Sequence, residues 1–315
     1  MGGADGFYDG LKRGVGMSDK IWDYTALNLF LTCRKRYYYR IVRSLVPKAI
    51  SPALSFGKAV HDALNTYYSN ERNLDEALKV FVREYHDPEG EELRTVENGI
   101  KMLKEYARVY KYEPFKVIGK PEVGFVIPLG DILWGGRIDL LVDWGGDLYV
   151  MEHKTTSILG PNFFRQFRMD MQVTSYVVGA EAILGRKCLG AIINALEPWK
   201  PLKRETARSK KPEDHFLRNP EPRTERLKQR FRETVPKIIR EILRCEQEGN
   251  WWGTDCREVC HGFNSDCPYL QLCEYGEDER VIEKEYRVEE WIPYQQTKEE
   301  VKDEKGVDRN PTDRG

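Results

Sequence analysis

The chain has 315 residues with 50 Lys and Arg against 51 Asp and Glu, a formal net charge of −1, 40% hydrophobic residues and a mean hydropathy of −0.62. That is enough chain for one or two domains with an ample core, and no window approaches the roughly 18 uninterrupted apolar residues of a membrane-spanning helix. The N-terminus lacks the apolar stretch of a secretory signal and seven cysteines are too few for a disulfide scaffold, so the expected setting is cytoplasmic and reducing, where clustered cysteines read as metal ligands.

Residues 1–20 are Gly-rich and aperiodic and are expected to form a flexible tail. Apolar and aromatic residues then recur at helical spacing over residues 22–43, 55–68, 74–85 and 96–112, and Pro114, Pro121 and Pro128 end this helical section. Short β-prone runs follow at 117–126, 132–144 and 148–152, separated by Gly and Asp. A helix over 163–184 and an apolar strand over 189–196 complete an α/β pattern: a mixed central sheet flanked by helices, preceded by a helical N-terminal section. Lys, Arg and Pro dominate 198–222, a charged helix is expected over 224–247, and a Cys-rich segment spans 256–273. The expected division is a tail (1–20), a helical section (21–116), a core (117–198), a basic linker and helix (199–249), a Cys-rich segment (250–276) and an acidic, partly disordered tail (277–315).

The most informative stretch runs from Gly135 to Lys154 and reads as a β-hairpin turning at Gly145-Gly146, where glycine suits the positive φ of a two-residue turn. That register puts Asp139 directly opposite Glu152, with Lys154 two residues on along the same face. Cβ atoms of directly opposed residues are about 4.5 to 5.5 Å apart, a spacing at which two carboxylates can share one divalent cation. Two acids holding Mg²⁺ or Mn²⁺ beside an ammonium that serves the attacking water form a site suited to phosphodiester hydrolysis. Isolated Asp, Glu and Lys are more often solvated surface charges, but Val150 and Met151 flank the acid in a run suited to burial.

Asp139 followed by Glu152-His153-Lys154 resembles the Asp…Glu-x-Lys core of the PD-(D/E)XK nuclease superfamily, with Ile138 standing where the motif name has Pro. Gly57-Lys-Ala-Val-His61 resembles the Gly-x-x-x-His of its RecB-like branch, and Gln172-Val-Thr-Ser-Tyr176 the Gln-x-x-x-Tyr helix motif. These motifs occur in the family's order between Gly57 and Tyr176. The resemblance implies a restriction-endonuclease-like core. It also implies a metal site of His61, Asp139, Glu152 and the backbone carbonyl of His153, with Lys154, Gln172 and Tyr176 completing the catalytic set. Gln172 and Tyr176, four apart, share one helix face from which they can contact the lysine or the strand.

Cys260, Cys267 and Cys273 form a compact group one ligand short of a tetrahedral set. The resemblance to CRISPR-associated and AddB-type iron-sulfur nucleases supplies Cys33 as the fourth ligand of a [4Fe-4S] cluster, with Cys256 as an alternative to Cys260. Zn²⁺ would use the same donors. Cys188 and Cys245 read as ordinary buried thiols.

Near-neutrality conceals a segregated charge: residues 33–48 carry +6, residues 199–240 about +8 and residues 274–315 about −6. Basic patches of this kind fit a phosphate backbone; among Tyr37-Tyr38-Tyr39 and Phe163, Phe164 and Phe167, core packing accounts for most at helical spacing and one or two are expected to stack unpaired bases. The sum of these readings is a Mg²⁺- or Mn²⁺-dependent deoxyribonuclease, an exonuclease on single-stranded DNA ends working in recombination, repair or CRISPR spacer processing. It implies a phage-type or prokaryotic stand-alone enzyme with a recombination or CRISPR-adaptation partner. The alternatives are a structure-specific endonuclease on the same fold or a non-catalytic DNA-binding scaffold with a structural metal cluster.

Overall fold

The central hairpin forms as its glycines dictate. In the computed structural model, which describes residues 20–200, 210–262 and 265–292, Gly145 and Gly146 have φ of 64° and 95° and join β6 (Leu140–Trp144) to β7 (Asp147–Thr155). Pairing runs from Trp144 opposite Asp147 to Leu140 opposite Met151, the register expected, and Asp143 locks the turn by accepting the Gly146 N–H at 2.9 Å. Of the expected tails, 1–20 and 277–315, residues 1–19 and 293–315 lie outside the described residues, as does the stretch 201–209, whereas Glu279–Glu285 is helical and Tyr286–Val288 is a strand.

Around this hairpin stands a five-stranded sheet. β3 (Lys116–Val117) pairs antiparallel with β6, and β8 (Cys188–Leu196) lies parallel to β7 and antiparallel to β9 (Phe216–Pro222), giving the order β3-β6-β7-β8-β9. The parallel β7–β8 pair needs a crossover, and α5 (Met171–Leu184) supplies it, N-capped by Asp170 and ended by Gly185 at φ 59°. Because side chains alternate across a strand, Leu148 and Val150 pack with Val173 and Val177 of α5 on one face. Leu140, Val142 and Met151 pack on the other, against α2 (Pro52–Ser69), α3 (Leu74–Glu84) and α4 (Val96–Val109). The result is the expected mixed sheet between helical layers. No helix among the described residues is long and apolar enough to cross a membrane.

The run expected as one strand over residues 132–144 is two. β5 (Ile132–Ile138) pairs with β4 (Val123–Leu129) and with β1 (Ile21–Trp22) in a separate three-stranded sheet, and the chain leaves that sheet for the central one at Asp139. The basic stretch is not all linker either: β9 closes the central sheet, and α6 (Glu225–Glu248) buries Phe231, Val235, Ile239 and Ile242 in the core.

The helix expected over residues 22–43 breaks at Cys33. α1 (Tyr24–Thr32), N-capped by Asp23, ends there because Cys33 is extended (φ −163°, ψ 123°), and a short helix Arg34–Tyr37 runs on into a π-helical turn, Tyr38–Val42. β2 (Leu45–Pro47) then pairs with a strand Tyr286–Val288. Tyr39, Leu45, Tyr269, Leu272 and Tyr286 form a small apolar cluster of their own, which ties the Cys-rich segment to the N-terminal section.

Candidate active site at the break between two sheets

Asp139 sits where neither sheet can use its backbone fully, and its side chain takes over the hydrogen bonding. Its Oδ2 accepts the backbone N–H of His153 at 2.7 Å, and its carbonyl accepts the N–H of Glu122 at 2.8 Å. His61, on the face of α2 turned to the sheet, brings Nδ1 to 3.4 Å from the same Oδ2. α2 can approach this closely because Gly57 lies against Thr155, where even a Cβ would come within 3.2 Å of the Thr155 hydroxyl.

Glu122 belongs to this constellation, and no motif pointed to it. Among the described residues, His61, Glu122 and Asp139 form the one set of three such donors whose ligand atoms lie within 4.8 Å of one another. A signal was available: β4 and β5 pair from Leu129 opposite Ile132 to Val123 opposite Ile138, and one further step along that register sets Glu122 opposite Asp139. Asp139 is thus flanked by the next residue of each neighbouring strand, Glu122 on one side and Glu152 on the other.

Glu152 is 2% exposed; its Oε1 accepts from Lys154 Nζ at 2.5 Å, while Oε2 is buried without any partner. Burial and the adjacent Asp139 charge push its carboxyl up to about 7. Burial also opposes ionisation of Asp139, but the His61 imidazole and the His153 N–H outweigh it and hold that carboxyl well below the usual range. Burial pulls His61 down, yet Asp139 and Glu152 raise it to about 9. A cluster in which one carboxylate raises another and a buried carboxylate oxygen of Glu152 has no partner is short of positive charge. Oxygen donors with one imidazole suit Mg²⁺ or Mn²⁺, so the residues present fit a divalent cation.

Lys154 continues the line: its Nζ reaches Gln172 Oε1 at 3.5 Å, and Gln172 Nε2 donates to Tyr176 OH at 2.9 Å. All six side chains expected at the site, His61, Asp139, Glu152, Lys154, Gln172 and Tyr176, are therefore brought together. His153 lies among them with its N–H on Asp139 and its ring buried, 2% exposed. A cleft of about 470 Å³ opens beside Gln172 and Tyr176, lined also by Tyr24, Thr25, Arg137 and Trp291.

The aromatic residues expected to stack bases are elsewhere. Tyr37, Tyr39, Phe164 and Phe167 are all under 9% exposed and pack in apolar clusters, and Tyr38 stacks on Trp251. Helical spacing next to basic residues reported core, not a nucleic-acid face.

Of the cysteines, Cys188 and Cys245 are buried in the main core as expected. Cys33 is buried and its Sγ accepts the Thr254 N–H at 3.4 Å, which brings the Cys-rich segment onto the break after α1. Cys267 N–H donates to the Cys260 carbonyl at 2.8 Å, and burial, with smaller contributions from Cys267 and Cys33 nearby, raises the Cys273 thiol. Among the described residues no three cysteine sulfurs come within 4.8 Å of one another.

The family description of the PD-(D/E)XK nuclease superfamily matches residues 22–274. Among solved structures, a crystal structure of a "putative exonuclease" from Eubacterium rectale is 14% identical, covers 87% of this chain and 98% of its own, and has a TM-score of 0.48. A second, of a protein named SSO0001, is 13% identical with coverages of 63% and 78% and a TM-score of 0.27. No curated protein matches.

Proposed function

The chain belongs to the PD-(D/E)XK nuclease superfamily, with its restriction-endonuclease-like α/β fold, and from its site we propose a divalent-cation-dependent DNA nuclease of the RecB-like branch, acting from single-stranded ends. The observation that carries this reading is the convergence of His61, Glu122 and Asp139 on one break between sheets, beside a buried Glu152 whose carboxyl feels the Asp139 charge and whose Oε1 binds Lys154.

In this reading His61, Asp139, Glu122 and Glu152 hold the cation, together with the carbonyl of His153. A bound Mg²⁺ or Mn²⁺ supplies Lewis-acid stabilisation of the charge that builds on the phosphate. Lys154, its ammonium fixed between Glu152 and Gln172, orients the attacking water and donates to the developing negative oxygen. Gln172 holds Lys154 in that position while Tyr176 holds Gln172. Burial of Glu152 and partial burial of Asp139 limit bulk water at the carboxylates and strengthen the charge interactions there.

Single-strand preference is supported by the cleft beside Gln172 and Tyr176. Its volume of about 470 Å³ is that of a pocket for one small-molecule-sized group and would take a single nucleotide. The tyrosines and Trp291 offer faces for a base and Arg137 a cation for a phosphate.

Cys33, Cys260, Cys267 and Cys273 are proposed as ligands of a [4Fe-4S] cluster that staples the two ends of the core. Four thiolates around one Zn²⁺ at 2.3 Å must sit within about 3.8 Å of one another. Zn²⁺ on the same donors is the alternative, and it requires the sulfurs to close to that distance. A cluster built on thiolates fits the reducing, cytoplasmic setting, and the segment 250–276 is then a unit of its own.

End-dependence is tested with labelled single-stranded DNA, linear and circular, in Mn²⁺. Degradation of the linear form with the circle left intact is expected; equal cutting of both contradicts the exonuclease reading.

A further inference from the structure

His153, Asn194 and Arg218 occupy paired positions on three adjacent strands, His153 opposite Asn194 on β7 and β8, and Asn194 opposite Arg218 on β8 and β9. Their side chains form a hydrogen-bonded row across the sheet. Arg218 Nε donates to Asn194 Oδ1 at 3.1 Å, and Asn194 Nδ2 lies 2.8 Å from His153 Nδ1. Beyond the sheet edge the guanidinium meets both oxygens of Glu113, in a pair whose side chains are each 7% exposed, and donates to the hydroxyls of Tyr106 and Tyr68 at 2.9 and 3.2 Å.

This row has a direction. A guanidinium only donates, so the amide oxygen of Asn194 must face Arg218 and its NH₂ must face His153. His153 Nδ1 is then an acceptor and Nε2 carries the proton, an assignment made by the network. Nε2 itself is buried without a hydrogen-bond partner, so nothing at that end of the ring selects this tautomer. The choice comes from Arg218, two strands away.

His153 stands between Glu152 and Lys154, and its N–H holds Asp139. Its ring also packs edge-on to His61 and parallel to Tyr68, each at 6.0 Å between centroids. We propose that the buried Glu113–Arg218 pair positions the cation site: through Asn194 it fixes the tautomer and orientation of His153, and with them the peptide that carries Glu152, Lys154 and the N–H on Asp139. Asn194 and Arg218 are positioning residues, one and two strands away from the chemistry. The inference rests on the reading of the site as a divalent-cation site.

The test uses full-length protein labelled with ¹⁵N-histidine. In the wild type, His153 is expected to show a bare Nδ1 and a protonated Nε2; a protonated Nδ1 overturns the assignment and the proposal with it, and this needs no variant. Asn194→Asp keeps the size of the side chain and an oxygen for Arg218 but has no N–H for His153, so the tautomer should reverse. Mg²⁺ affinity by calorimetry should then fall about 10-fold or more, as for groups that orient metal ligands, and kcat should fall with KM for DNA unchanged. A reversed tautomer with unaltered Mg²⁺ affinity overturns the proposal. Should Asn194→Asp not fold, Glu113→Gln, which removes the charged partner of Arg218, should still shift the His153 nitrogen resonances; unmoved resonances would overturn the coupling. Absence of Mg²⁺ binding and DNA cleavage by the wild type would instead reject the cation-site reading and leave the tautomer result standing, so the two failures are distinct.

Discussion

The backbone N–H of His153 donates to the carboxylate of Asp139 at 2.7 Å, one residue beyond the last paired position of the central hairpin, Leu140 opposite Met151. The side chain of Asp139 thus replaces the ladder where the strand leaves one sheet for the other, and an acid is pinned between two neighbouring carboxylates. Two acids and an imidazole with ligand atoms within 4.8 Å of one another, beside a third buried acid, suit a cation that joins them. Asp139→Asn should lower Mn²⁺ affinity by more than about 100-fold, beyond what loss of a merely orienting group costs. Circular dichroism should remain native, since Asn still accepts the His153 N–H.

Glu122 tests the part of the site that no motif foretold. Glu122→Gln should weaken Mn²⁺ by about 10- to 100-fold in calorimetry while the urea midpoint stays within the error of the wild type. An unchanged affinity would return Glu122 to the role of a partner for Arg137, 3.3 Å away.

Much of this site could be read ahead of the structure because it is local. The Gly145-Gly146 turn sets a register, and the register places Asp139, Glu152 and Lys154 within one short segment. What stayed hidden depends on distant pairings. β9 looks like a basic, Pro-containing linker because Arg218, Asn219 and Pro220 are polar or breaking, and only its pairing with β8 gives Arg218 a buried partner in Glu113. Glu122 required the second hairpin's register to be extended past its last apolar residue. Which of the tyrosines at 37–39 belong to the core could not be told ahead, since helical spacing is the same for a core face and a binding face; Tyr37 and Tyr39 are buried.

A pH signature should come from Asp23, the N-cap of α1, which is 8% exposed and which burial pushes up from 3.8 to about 6 despite the Ala26 N–H it accepts. Its folded pKa is raised, so the folded state takes up a proton first as pH falls, and the cost of burying the charge, present above about 6, is relieved between about 6 and 3.8. Asp23→Asn keeps the cap and removes the charge. It should be more stable than the wild type by about 2 kcal/mol at pH 8, with the difference fading by pH 4, as read from urea denaturation at the two pH values.

The cysteine staple predicts brown protein after anaerobic purification, with about four irons and four sulfides per chain. Cys33→Ser should lose the colour and lower Tm, because cluster-binding energy is also folding energy. Full iron in Cys33→Ser would move the fourth ligand to Cys256, and zinc without iron would replace the cluster by a single ion.

The central claim is that Lys154 serves hydrolysis at a cation site organised by Asp139, and it is tested most directly by comparing wild type and Lys154→Ala on end-labelled linear single-stranded DNA in Mn²⁺. The account predicts that the wild type degrades the strand and that the variant, still binding Mn²⁺, does so slower by about 10²- to 10³-fold, the cost of losing one oriented donor to a developing oxyanion. Equal rates for the two proteins would contradict it.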